Sequence, residues 1–212
     1  MSKTRKITLI GMLAALAYIF TLVGQLVPIR FGFLSYDPKD AIIVIAGFAI
    51  GPVASLIISV IVALLELVTI SDTGLIGFAM NIIASASFAT VAALIYKKIR
   101  SIKGAALGLL LSSALTVGLM LLWNYLVTPF YMGVSREMVA GLLLPLFLPF
   151  NVIKCGLNAS LVMLIYKPCV TAMRRVGLMP RAEGKGGRIS PLVIGVSLGV
   201  MALMVALFII LK

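Results

Sequence analysis

The sequence predicts an all-α fold, a polytopic transmembrane helix bundle. Three observations predict it. Hydrophobic residues fill 62% of the 212 positions and charged residues only 11%, with a mean hydropathy of +1.22. A soluble domain is about a quarter charged, so lipid must solvate much of this surface. Apolar runs long enough to cross a bilayer recur along the whole chain. Thirteen of the 18 basic residues sit in three clusters beside those runs: Lys3, Arg5 and Lys6; Lys97, Lys98, Arg100 and Lys103; and Lys167, Arg174, Arg175, Arg181, Lys185 and Arg188. That placement is the topology signal of membrane helices. It accounts for the net charge of +12 without nucleic acid.

The first span is expected from Ile7 to Pro28. It follows a basic N-terminus and carries no convincing cleavage site, so it reads as a retained helix rather than a leader. A loop with aromatic and charged residues follows, IRFGFLSYDPKD. The next run, Ala41 to Ile70, is too long for one ordinary span and contains Gly51-Pro52. Proline disfavours helix in the residue before it, so a break is expected there. Two segments, 41–51 and 52–70, also leave all three basic clusters on one side. The shorter lies below span length and needs burial against neighbours. Spans follow at Leu75–Tyr96, Gly104–Val127, Met138–Tyr166 and Ile189–Leu211. Pro129 is expected to stop the fifth. Pro145 and Pro149 predict an irregular start to the sixth.

The domain boundaries read as a membrane-embedded unit over 1–177, a basic cytoplasmic linker over 178–188, and an additional helix over 189–212. The N-terminus is expected inside and the C-terminus outside. Arg30, Lys39, Arg136 and Lys212 then lie outside.

Lys154 alone among the basic residues falls in the middle of a span. Its charge there costs about 2.5–3.5 kcal/mol on insertion scales, so a cavity or a partner is required. Asn151, Lys154 and Asn158 are spaced i, i+3, i+7, which sets them on one helix face within a roughly 60° arc. Asn124, Thr128, Asn81 and Glu66 fall in the outer halves of their spans. Together these residues are the candidate wall of a cavity closed by the 29–40 and 128–137 loops. Glu66, read as the only acid within a span, either pairs with Lys154 or contacts a ligand. Aromatic residues near these positions, Phe31, Phe33, Tyr36, Trp123, Tyr125, Phe130 and Tyr131, form an interfacial belt, from which a few are available to stack on a flat ligand. Gly11 and Ala15 make a small-xxx-small pair on the first helix, for internal packing or for a partner.

Several chemistries lack their residues. The sequence contains no histidine and no phosphate-binding P-loop. Its two cysteines, Cys155 and Cys169, match no metal spacing and read as apolar packing. A zinc site, a His-based triad and an enzyme are unsupported, and no cofactor is expected.

NYLVTPFYMG (Asn124 to Gly133), LPFNVIKCGLN (Leu148 to Asn158) and the short segment before Gly51-Pro52 carry a resemblance. The chain resembles the substrate-binding S components of energy-coupling-factor vitamin transporters, and among them the riboflavin-specific kind, over about residues 5–175. The resemblance implies a six-helix core, here with one additional C-terminal transmembrane helix. It implies capture of riboflavin from outside the plasma membrane of a prokaryote, with Asn124, Asn151, Lys154 and Asn158 as ligand contacts. It implies a transmembrane coupling subunit and two ATPase subunits as partners, docked through Gly11 and Ala15. Another vitamin, a phosphorylated flavin (FMN), or a scaffold subunit without transport are the alternatives.

Overall fold

The computed structural model describes residues 2–26, 30–31, 34–175, 177 and 190–211. In chain order the elements are α1 (Lys3–Leu26), a small antiparallel hairpin of β1 (Arg30–Phe31) and β2 (Leu34–Ser35), α2 (Lys39–Ile50) and α3 (Pro52–Thr69). Then come α4 (Gly74–Lys98), α5 (Ile102–Met132), α6 (Arg136–Leu142), a π-type turn (Leu143–Phe147), α7 (Leu148–Arg175) and α8 (Pro191–Leu211). Among the described residues, six helical stretches are long and apolar enough to cross a membrane, with α6 to α7 counted as one. The basic linker expected over 178–188 lies outside the described residues.

The break at Gly51-Pro52 occurs as expected. Gly51 takes φ 123°, a backbone region open to glycine, and Pro52 starts α3 where its missing N–H costs nothing. The short helix α2 is buried from Lys39 through Phe48. It packs on α1, α3, α4 and α7, and its Ala and Ile side chains form the centre of the main core. A helix apolar on every side belongs in such a position.

Two ends differ from expectation. Pro129 does not stop α5, which continues to Met132. So near the helix end the proline removes one hydrogen bond without forcing a break, and Gly133 closes the helix by donating to the Pro129 carbonyl. Helix α7 likewise runs through Pro168 to Arg175. The irregular start expected from Pro145 and Pro149 is the π-type turn between α6 and α7. The side chains of Ser101 and Ser135 cap α5 and α6 by accepting from Gly104 and Met138 N–H groups. Helix α8 packs chiefly on α7, where Phe208 meets a cluster of Phe150, Ile153 and Leu157.

Candidate functional site

The loop from Tyr36 to Pro38 folds inward across the end of the bundle. It fits because residue 24 of α1 is glycine. A Cβ there would lie 3.0 Å from Asp37 Cα, Pro38 Cδ and the Tyr36 carbonyl oxygen. This approach carries Asp37, Lys39 and Asp40 into the protein, and Lys39 is only 2% exposed.

Two connected groups of charges result. Lys39 Nζ lies 2.7 Å from Glu66 Oε1 and 3.5 Å from Asp37 Oδ2. Glu66 also accepts from Thr21 Oγ1 at 3.0 Å and from Asn81 Nδ2 at 2.6 Å. Helices α1, α2, α3 and α4 are thereby tied at one carboxylate. Lys154 Nζ donates to Asp37 Oδ2 at 3.1 Å and lies 3.9 Å from Asp40 Oδ2. Asp40 accepts from Ser85 Oγ at 2.5 Å. The Asn158 amide donates to the carbonyls of Asp37 and Lys154. Removing water from these charges is expensive, and their mutual pairing offsets that cost.

Electrostatics in the loop follow from this crowding. Burial pushes the Asp37 carboxyl upward, but Lys154 and Lys39 outweigh it and hold the group below the usual carboxylate range. Burial, reinforced by Asp37 and Asp40, pushes the Tyr36 phenol up. Asp37 Oδ1 and Asn158 Oδ1 are buried with no hydrogen-bond partner among the described residues. Such orphaned acceptors are uncommon and mark a place where a donor would be satisfied.

Beside this network lies a cavity of about 340 Å³, within the usual range for small-molecule sites. Lys154, Asp37, Glu66, Asn81, Asn124 and Thr128 contribute to its polar lining. Trp123, Tyr131, Phe150, Met80, Ile76 and Leu34 contribute the apolar part. Asn124 donates to the Met120 carbonyl and accepts from Thr128 Oγ1, which fixes both side chains.

Five of the seven residues expected to bind a ligand therefore share one cavity: Asn124, Lys154, Asn81, Glu66 and Thr128. Asn151 and Asn158 are buried but do not line it. Asn151 donates to the Phe147 carbonyl at the π-type turn, and Asn158 holds the Asp37 backbone. Of the two roles left open for Glu66, pairing with Lys154 is not found. Glu66 pairs with Lys39, and Lys154 pairs with Asp37. Lys39, expected in an outside loop, is buried, and Glu66 is not the sole acid in the interior. The signal for these residues was present. Three charges stood directly before an apolar segment too short to span, and such a segment draws its flanks inward when it is buried.

Gly11 and Ala15 lie on the exposed face of α1, and the space around Gly11 is open. Among the described residues no group of His, Cys, Asp and Glu has the arrangement of a metal site.

Comparison with known proteins gives consistent matches. Riboflavin transporter RibU of Staphylococcus aureus (strain TCH60) is 30% identical over 184 residues, covering 83% of this chain and 96% of that protein. Riboflavin transporter FmnP of Bacillus subtilis (strain 168) is 30% identical over 189 residues, covering 81% and 97%. A solved structure, described as the S component of a bacterial ECF transporter, superposes with a TM-score of 0.69 at 29% identity, covering 82% of this chain and all of that one. The sequence profile of the family "ECF transporter, substrate-specific component" matches residues 5–166. A match of that extent, through every element from α1 to most of α7, shows that the chain belongs to this family of substrate-specific transporter components.

Proposed function

We propose that this protein is the membrane subunit that captures riboflavin for an ATP-driven ECF transporter. One observation carries the reading. A partly open cavity joins Lys154, Asn81, Asn124 and Thr128 to Trp123, Tyr131 and Phe150, in a chain 30% identical to two riboflavin transporters. Riboflavin is neutral, with a flat ring and a hydroxylated tail. The rings and apolar side chains suit the flat part. The amides, the hydroxyl and the lysine suit the tail and the ring oxygens, and Lys154 acts as a donor rather than a counter-ion.

Only the capture step is assigned to this chain. It contains no P-loop, so separate ATPase subunits supply the energy through a transmembrane coupling subunit. The open face of α1 at Gly11 and Ala15 is the proposed docking surface, where small side chains permit close helix approach. The three basic clusters support a cytoplasmic N-terminus, with the cavity end on the outer side of the membrane. Replacing Ala15 with Leu is expected to abolish cellular riboflavin uptake while leaving binding by the purified protein unchanged.

The sequence contains a single tryptophan, Trp123, and it lines the cavity. Adding riboflavin to ligand-free protein is expected to quench its fluorescence saturably at one equivalent. Protein from riboflavin-fed cells is expected to be yellow. A colourless preparation whose tryptophan emission ignores riboflavin would falsify the assignment.

A further inference from the structure

A second concavity lies on the side of the molecule, between α5, α7 and α8. Its volume is about 680 Å³ and its walls are almost wholly apolar, from Leu109 and Val117 of α5, Ala159 and Met163 of α7, and Val196 and Val200 of α8. Three hydroxyls sit on these walls, and each donates back into its own helix. Ser113 bonds the Leu109 carbonyl, Ser160 the Gly156 carbonyl, and Ser197 the Val193 carbonyl. The surface they leave offers nothing to water or a polar solute.

The groove has a direction. On α5 it extends from Ala106 to Val117, roughly 16 Å at 1.5 Å per residue. The hydrocarbon core of a bilayer is about 30 Å thick, so the groove matches the depth of one leaflet. Its Ala106 end also has Met163 and Leu192. One helical turn beyond lie Lys103 on α5, exposed, and Lys167 on α7, half-buried. The described acids Asp37, Asp40, Glu66, Asp72 and Glu137 all belong to elements at the other end of the bundle or to its interior. The rim at Lys103 and Lys167 is therefore a positive site at headgroup level above an apolar slot.

We propose that this groove is a binding site for one anionic phospholipid, with an acyl chain lying between α5, α7 and α8 and the headgroup phosphate at Lys103 and Lys167. Helix α8 lies beyond the residues matched by the family profile, and it supplies one wall of the slot. The lipid completes the packing between that added helix and the core.

The test uses the full chain, purified in detergent and exchanged against equimolar dioleoylphosphatidylglycerol and dioleoylphosphatidylcholine, with bound lipid counted by native mass spectrometry. One retained phosphatidylglycerol is expected, favoured over phosphatidylcholine by at least fivefold. Lys103→Gln with Lys167→Gln, the first in the opening turn of α5 and the second within α7, is expected to bring that preference close to one. Ala114→Phe, at an exposed position in the groove, is expected to remove retained lipid of both kinds. Should that variant not fold, Ala106→Leu serves as the plug. Thermal melting of each variant separates loss of lipid from loss of fold. The proposal is overturned if the parent retains no lipid or shows no headgroup preference, if the double lysine variant keeps the preference, or if a folded plug variant binds lipid like the parent. None of these readouts depends on riboflavin.

Discussion

Lys154 meets Asp37 across 117 residues of sequence, and each keeps the other charged in a largely buried setting. Removing one member of such a pair leaves an uncompensated charge, which typically costs about 3–5 kcal/mol. Lys154→Met is therefore expected to lower the melting temperature and abolish riboflavin binding. Adding Asp37→Asn should recover much of the stability and none of the binding, which differential scanning and a fluorescence titration would separate. A second expectation concerns pH. Asp37 is held below the usual carboxylate range, so its contribution is fully present above the unfolded value near 3.9 and is lost only as pH falls through its lower folded value. The sequence has no histidine, while burial pushes the Asp40 carboxyl above the usual range. A step in affinity between pH 5 and 8 is therefore expected only from Asp40 and should be absent in Asp40→Asn, which titrating both proteins checks. Lys154 was legible because a charge in mid-span demands a reason. Asp37, Lys39 and Asp40 were legible only indirectly, through the shortness of the apolar segment behind them, because charges beside an apolar run otherwise look like an ordinary water-facing loop. Only the tertiary fold turns that loop inward.

At the scale of elements, composition and proline placement located every long helix. They failed where backbone chemistry was weighed without context, as at Pro129, which α5 passes through. The short helix α2 was legible from its length and from charge balance, and its burial followed. The 36–38 loop depends on a contact no pattern announces, its approach to Gly24 on α1. Gly24→Ala inserts a methyl group against three atoms already at 3.0 Å. It is expected to displace the loop and weaken riboflavin binding by roughly tenfold, about 1.4 kcal/mol, with a smaller effect on melting. Tryptophan titration of this variant beside the parent checks it. An unchanged affinity would mean that the loop does not shape the cavity.

For the whole molecule, the cavity is built from α1, the 34–39 loop, α3, α4, α5 and α7. No described residue of α8 lines it, and Phe208 only backs the wall residue Phe150. A chain ending after Gly177 is expected to bind riboflavin within about threefold of the full protein, a change of under about 0.7 kcal/mol. Loss of binding in a folded, monodisperse truncation would assign α8 a part in the site. The order of charges along the chain has its own consequence for synthesis. Asp37, Asp40 and Glu66 are made early, with Lys39 as the one cation of the cluster beside them. Lys154 follows 88 residues after Glu66 (154 − 66), a delay of roughly 4–18 s at ordinary rates of translation. Throughout that interval the nascent protein holds an acidic vestibule awaiting its second cation. Water, protonation or the insertion machinery has to shelter those carboxylates until α7 arrives. The cavity is thus completed only when α7 emerges, and a ribosome stalled within α6 would leave a half-made subunit with a charged, unsealed interior.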